Sequence, residues 1–302
     1  MNTKRWMVLC AAFVVLCGTG WGASATNTTD RSAEPGKIFV YKQSAGAPQE
    51  LEVYYPPDWK PGGPKVPGLL LFHGGGWTGG DLSQFRYACA YFASRGLVAA
   101  TANYRMLSKD AVRKRPAGEG SHKRVCVTDA KSAVRWMKQH ADELGVDPQR
   151  LVVGGGSAGG HIAVLGATNP GLNDPADPQG FDTAVAAYLL FNPAFTAKDS
   201  GDPEVDVLKH LTASLPPAIL FFGTRDNWKP GSDVALQRLK SLGNTTAELW
   251  TAEDQAHGFY RQPPWQGLTL AAADRFLVAH GFLKGDCTLA APSDCTKLVK
   301  VP

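Results

Sequence analysis

Ser157 stands in "LVVGGGSAGGHIAV", residues 151–164, an apolar run that ends in glycines around one serine. Two chemistries use such a turn. Gly154, Gly156 and Gly159 read as G-x-G-x-x-G, the pyrophosphate cradle of a dinucleotide site, while Gly155, Ser157 and Gly159 read as G-x-S-x-G, the turn that presents a serine nucleophile. The cradle needs an acid about twenty residues on, at the end of the next strand, to hold a ribose hydroxyl. Here that strand ends at Asn192, and Asp174, Asp177 and Asp182 all precede it. A phosphate loop would need Gly-Lys-Ser/Thr, which is absent.

The nucleophile reading makes three further demands. Its sharp turn needs small neighbours, and Gly155, Ala158, Gly159 and Gly160 supply them. Its oxyanion needs preset backbone N–H donors, and "HGGGW" at His73 to Trp77 follows an apolar strand, where such donors arise. Its base and orienting acid should follow in the order serine, acid, histidine. Asp226 in "FFGTRDNW" and His257 in "EDQAHGFY" do so, each on a loop after an expected strand. Glu253 and Asp254 compete as the acid but sit too near His257 along the chain to reach the far imidazole nitrogen. His73 reads as a brace for the glycine loop, and His161, four residues after Ser157, as a packed helix residue. Trp77, Tyr104, Trp228 and Phe259 flank the motifs and are the expected substrate-facing aromatics, an apolar wall or a stacking surface.

The elements that must carry these residues alternate. "KIFVYK" and "QELEVYYP" read as an antiparallel start, and "LLLFHG" as a strand buried on both faces. "LVAATANY", "LVVGG", "AVAAYLLFN", "PAILFFG" and "AELWTA" are further strands. Helices are expected at "FRYACAYFASRG", 124–144, 158–167, near 233–242 and at 271–280. Strand and helix in alternation imply a mostly parallel sheet with helices on both faces, an α/β fold. The irregular stretches 106–123, 168–182 and 194–214 are expected as short lid loops over the strand carboxyl ends.

The first 25 residues read as a signal peptide: a basic "MNTKR", an apolar core, and Ala23-Ser24-Ala25 as the cleavage site. Residues 26–36 read as a disordered linker, 37–283 as the catalytic domain and 284–302 as a tail. Export to the periplasm or medium is thus expected, with no stable membrane insertion after cleavage. Loss of Lys4 and Arg5 lowers the formal charge from +4 to +2, too little to argue for nucleic acid. Four cysteines remain, and Cys287 with Cys295 is the expected disulfide; Cys89 reads as a buried free thiol and Cys126 is open. Arg113, Lys114, Arg115, Lys123 and Arg124 read as a solvated face, with steering of acidic polymers as the sharper alternative. No H-E-x-x-H or zinc-spaced cysteine pair appears, so neither metal nor cofactor is expected.

Over roughly residues 69–283 the chain resembles α/β-hydrolases of the esterase/lipase branch with an HGGG oxyanion loop, the hormone-sensitive-lipase-like and bacterial carbohydrate esterases. "LLLFHGGGW", "ANYR", "GGGSAGGHIA", "PAILFFGTRD" and "AHGF" carry the resemblance. It implies Ser157 as nucleophile, His257 as base and Asp226 as orienting acid. It implies oxyanion donors from Gly75, Gly76 and Ala158, with Gly74 able to replace one. Asn103 takes a place where relatives often have an acid, which bears on an internal ion pair of Arg105. The implied activity is hydrolysis of short acyl esters, acetyl or feruloyl, of carbohydrates, with a small molecule or polysaccharide as substrate. An arylformamidase-like amidase and a general short-chain lipase or esterase are the alternatives.

Overall fold

The computed structural model describes residues 35–44, 47–116, 118–290 and 297–302. The signal-peptide expectation and Cys295 fall outside them. Among the described residues, nine strands form one sheet in the order β1-β2-β4-β3-β5-β6-β7-β8-β9. They are β1 Lys37–Lys42, β2 Gln49–Tyr54, β3 Val66–Phe72, β4 Val98–Ala102, β5 Val146–Gly156, β6 Ala187–Phe191, β7 Ala218–Gly223, β8 Ala247–Ala252 and β9 Val299–Val301. The six strands from β4 to β8 in that order run parallel; β1, β2 and β9 pair antiparallel at the two edges.

Alternation along β3 shows why both faces must be covered. Leu69 and Leu71 enter one apolar layer, Leu70 and Phe72 the other, and all four are fully buried. Each such side chain contributes about 1.5–3 kcal/mol through burial. Helices α1 (Arg86–Ser94) and α8 (Trp265–Ala279) close the first layer. The second is closed by α3 (Lys123–Gln139), α4 (Ala141–Leu144), α5 (Ala158–Thr168) and α7 (Lys229–Ser241). In α3 the buried Cys126, Ala130, Ala133, Val134 and Met137 recur at three- and four-residue steps. A break at His140 separates α3 from α4 where one helix was expected, and Gly145 ends α4 at φ 73°.

Three short elements depart from expectation. Helix α2 (Lys109–Arg113) lies in the stretch read as irregular, and α6 (Val207–His210) in another. The tail does not stand apart from the domain: Val299 to Val301 pair with Thr251 to Leu249 and extend the sheet. Cys287 lies 3.4 Å from the Tyr91 hydroxyl, and its expected partner Cys295 lies outside the described residues; Cys89 and Cys126 are buried and free. Among the described residues, no helix is long and apolar enough to cross a membrane.

Candidate active site

The turn from β5 into α5 holds Ser157 at φ 52° and ψ −116°, a region costly for a residue with a Cβ, by about 1–3 kcal/mol. Hydrogen bonds from neighbouring elements hold it there. Ser157 N–H donates to the Phe191 carbonyl at 2.9 Å, and its own carbonyl accepts from His161 and Ala194 N–H groups. The turn also passes very close to β3. A Cβ on Gly159 would stand 2.0 Å from the Phe72 carbonyl oxygen, so only glycine fits there.

Loops after β7 and β8 bring the partners to the same edge. Ser157 Oγ lies 2.8 Å from His257 Nε2, and His257 Nδ1 lies 3.0 and 2.9 Å from the two Asp226 carboxylate oxygens. The Asp226 carboxylate is fully buried, while the imidazole is about one-third exposed (34%). Two more donors hold that carboxylate: Asn192 Nδ2 at 2.6 Å and the Trp228 N–H at 2.9 Å. The proton on Nδ1 therefore faces a charged acceptor, which leaves the Nε2 lone pair toward serine. Glu253 and Asp254 are exposed and make no hydrogen bond to the imidazole.

Across from Ser157, the loop after β3 offers backbone donors. Gly74 N–H is used internally, donating to Gln84 Oε1 at 2.6 Å. Among the described residues, the N–H groups of Gly75, Gly76 and Ala158 have no acceptor. Gly75 takes φ 133°, and a Cβ there would lie 2.0 Å from the Gly79 carbonyl oxygen. His73 braces the loop, its Nδ1 2.9 Å from the Gly74 carbonyl; burial holds its pKa below the usual imidazole value.

Of the four expected substrate-facing aromatics, Tyr104, Phe259 and Trp77 are buried and are corrected. Tyr104 is buried under the loop, stacks on His73 and donates to its carbonyl at 2.9 Å. Phe259 is buried against Tyr260 and Trp265. Both follow or precede buried segments, and packing claims their faces. Trp228 remains partly open, its ring 6.3 Å from the His257 ring and 6.0 Å from that of Trp77. Trp77 is 5% exposed. Its indole N–H donates to His161 Nδ1 at 3.3 Å, and the Lys123 ammonium lies 3.8 Å from its ring centroid.

Lys123 is thus no part of a solvated face. It is buried and pairs with Asp199 at 2.5 Å; burial lowers its pKa and the pairing opposes that. His161 is fully buried, with Nε2 2.9 Å from the Val205 carbonyl, and its pKa is lowered by the same desolvation. Arg105 finds its acid in Asp129 at 2.7 Å, while Asn103 Oδ1 accepts the Glu50 N–H at 2.7 Å. Asn192 and Gln84 were not singled out as site residues. Asn192 links Asp226 to the Gly258 N–H, and Gln84 anchors the glycine loop. Their only sequence signal is position, Asn192 closing a strand and Gln84 lying shortly after the glycines.

A parallel sheet with a serine on the strained turn after a central strand, and acid and histidine on later strand ends, defines an α/β-hydrolase. The BD-FAE family model matches residues 51–198. The propionate-bound structure of Thermogutta terrifontis esterase 2 superposes with a TM-score of 0.75 at 37% identity, covering 85% of this chain and 98% of that one. The same enzyme phosphorylated by paraoxon gives 0.74 at 38%, covering 84% and 97%. The carboxylic ester hydrolase LipN of Mycobacterium tuberculosis is 36% identical over 232 residues, 66% of this chain and 58% of its own length. The chain spans about half the length of the curated relatives it matches. The protein belongs to the α/β-hydrolase esterases of the hormone-sensitive-lipase-like branch.

Proposed function

We propose that the protein is a serine carboxylic-ester hydrolase acting through an acyl-enzyme. The observation that carries this is the relay itself: Oγ to Nε2 at 2.8 Å, then Nδ1 to a buried carboxylate at 2.9 Å. His257 removes the proton of Ser157 as Oγ attacks the ester carbonyl carbon. The N–H groups of Gly75, Gly76 and Ala158 receive the oxyanion, aided by the amino terminus of α5. Collapse expels the alcohol oxygen, which takes the proton from His257. Water, deprotonated by His257, then attacks the acyl carbon; the Oγ–acyl bond breaks, Ser157 Oγ takes the proton back from His257, and the acid is released.

The preferred acyl group is short, and carbohydrate esters, acetyl or feruloyl, are the substrate class. Support for a short acyl group comes from the relative solved with propionate and with butyrate. The carbohydrate step rests on the motif resemblance and on the expected export of the chain. Replacing Ser157 by Ala should abolish turnover of p-nitrophenyl acetate while leaving circular dichroism and the unfolding midpoint intact; retained turnover would refute the nucleophile. An acyl-length series with acetylated xylan and methyl ferulate tests the substrate class.

A further inference from the structure

Beside the oxyanion loop lies a cavity of about 450 Å³, and its walls are cationic. Lys109, Arg113, His122 and Lys123 line it together with Gly76 and Trp77, and no acidic residue does. Helix α2 supplies the first two and the start of α3 the last two, so the loop between β4 and α3 is folded against the glycine turn. Two acids partly balance these charges. Asp110 pairs with Arg113 on the exposed side of α2, and the buried Asp199 pairs with Lys123. Lys109 has no acidic partner among the described residues, which leaves one cation in surplus. Part of the wall is apolar: Val112 lines the cavity, and Trp77 is buried with Lys123 on its ring. Lys109 and Arg113 are themselves exposed, so their attraction for an anion weakens as salt is raised.

We propose that this cavity is a subsite for a carboxylate carried by the ester substrate. The inference rests on the ester-hydrolase reading and narrows it. Gly76 lines the cavity, and its N–H, which has no acceptor among the described residues, is one of the proposed oxyanion donors, so one substrate can place its carbonyl on those donors and its carboxylate among the cations. A guanidinium offers a carboxylate two parallel N–H donors, and Lys109 adds an unpaired charge. Two substrate designs share this chemistry. The carboxylate can sit on the alcohol part, as in an ester of a uronate, or on the acyl part, as in a half-ester of a dicarboxylic acid.

Matched ester pairs test the subsite. Phenyl acetate against 4-acetoxybenzoate probes the alcohol side, and phenyl butyrate against phenyl hemisuccinate the acyl side. For each pair the readout is the ratio of kcat/KM for the anionic ester to that for the neutral one. Lys109→Glu and Arg113→Glu should each lower the ratio about tenfold in one of the two pairs, mainly through KM, the loss expected for one charge-assisted contact. Lys109→Gln, with no reversed charge, should lower it less. Lys114, on the same exposed turn but outside the cavity wall, is the control for long-range attraction. Ratios unchanged in both pairs, or changed equally by Lys114→Glu, overturn the subsite. Wild-type protein that hydrolyses phenyl acetate yet gives unchanged ratios removes the subsite alone. Wild-type protein inert toward both neutral esters removes the hydrolase reading, and the subsite with it.

Discussion

Replacing Asp226 by Asn keeps the shape of the relay and reverses its hydrogen-bond logic. Three donors converge on the carboxylate: His257 Nδ1, Asn192 Nδ2 and the Trp228 N–H. A carboxylate accepts all three; an amide has one oxygen and one donor group. Either flip sets the new NH2 against Asn192 or against Trp228, and in both it competes to donate to Nδ1. An imidazole that accepts at Nδ1 carries its proton on Nε2, facing Ser157, and cannot act as the base. The charge is lost as well. When His257 becomes imidazolium, a unit charge 2.9 Å away attracts it by about 6 kcal/mol at an effective dielectric constant of about 20. Solvent around the part-exposed ring reduces that figure. A loss of about 10³–10⁴ in kcat follows, or about 4–5.5 kcal/mol of transition-state stabilisation. The same mismatch leaves a buried donor unsatisfied and should lower unfolding stability by about 1–3 kcal/mol. Stopped-flow release of p-nitrophenol and urea unfolding measure the two effects. A variant retaining a tenth of wild-type kcat at neutral pH would refute the assignment of Asp226.

Two glycines in the loop after β3, both proposed oxyanion donors, should respond unequally to alanine. At Gly75 the new methyl meets the Gly79 carbonyl and the loop must move, so kcat should fall about 10²–10³-fold. At Gly76 the methyl meets nothing within 4 Å and only the φ of 64° is strained, so the loss should be smaller; the reverse order would argue against these donors. Stability should depend on pH through the buried imidazoles. His73 and His161 are held below their ordinary value by burial, so the unfolded chain takes up protons below about pH 6.5 that the folded one refuses. Stability is full above that pH and falls on acidification; His161→Gln should flatten the slope of urea midpoint against pH, and an unchanged slope would count against it. Paraoxon should transfer one diethylphosphoryl group to Ser157 with release of one 4-nitrophenolate. Intact-mass measurement should show the adduct on wild type and none on Ser157→Ala.

Much of the site was legible because its chemistry demands fixed residue types at fixed places. G-x-S-x-G, HGGGW and the order of Ser157, Asp226 and His257 each follow a strand end, and the structure brings the three side chains within hydrogen-bond reach. The long apolar runs likewise announced the parallel strands. What escaped lacked a periodic signal. Helices α2 and α6 have five and four residues, too short for an amphipathic repeat. The pairing of β9 with β8 depends on contacts distant in sequence. Tyr104, Phe259 and Trp77 were misplaced because an aromatic beside a glycine or histidine loop looks the same whether its face is packed or open. Lys123 was misread because a buried cation is recognisable only from its partners, Asp199 and the Trp77 ring.

The closeness of Trp228 to His257 gives the chemistry an optical readout. A protonated imidazole quenches the emission of a neighbouring indole more strongly than a neutral one, and these two rings stand 6.3 Å apart. The chain has eight tryptophans, so the signal is a small change on a large background, but Trp228→Phe isolates it by difference. An emission change that disappears in that variant reports on the surroundings of the Trp228 and His257 rings. Changes beside Ser157 could then be followed in the resting protein, with no substrate and no added label.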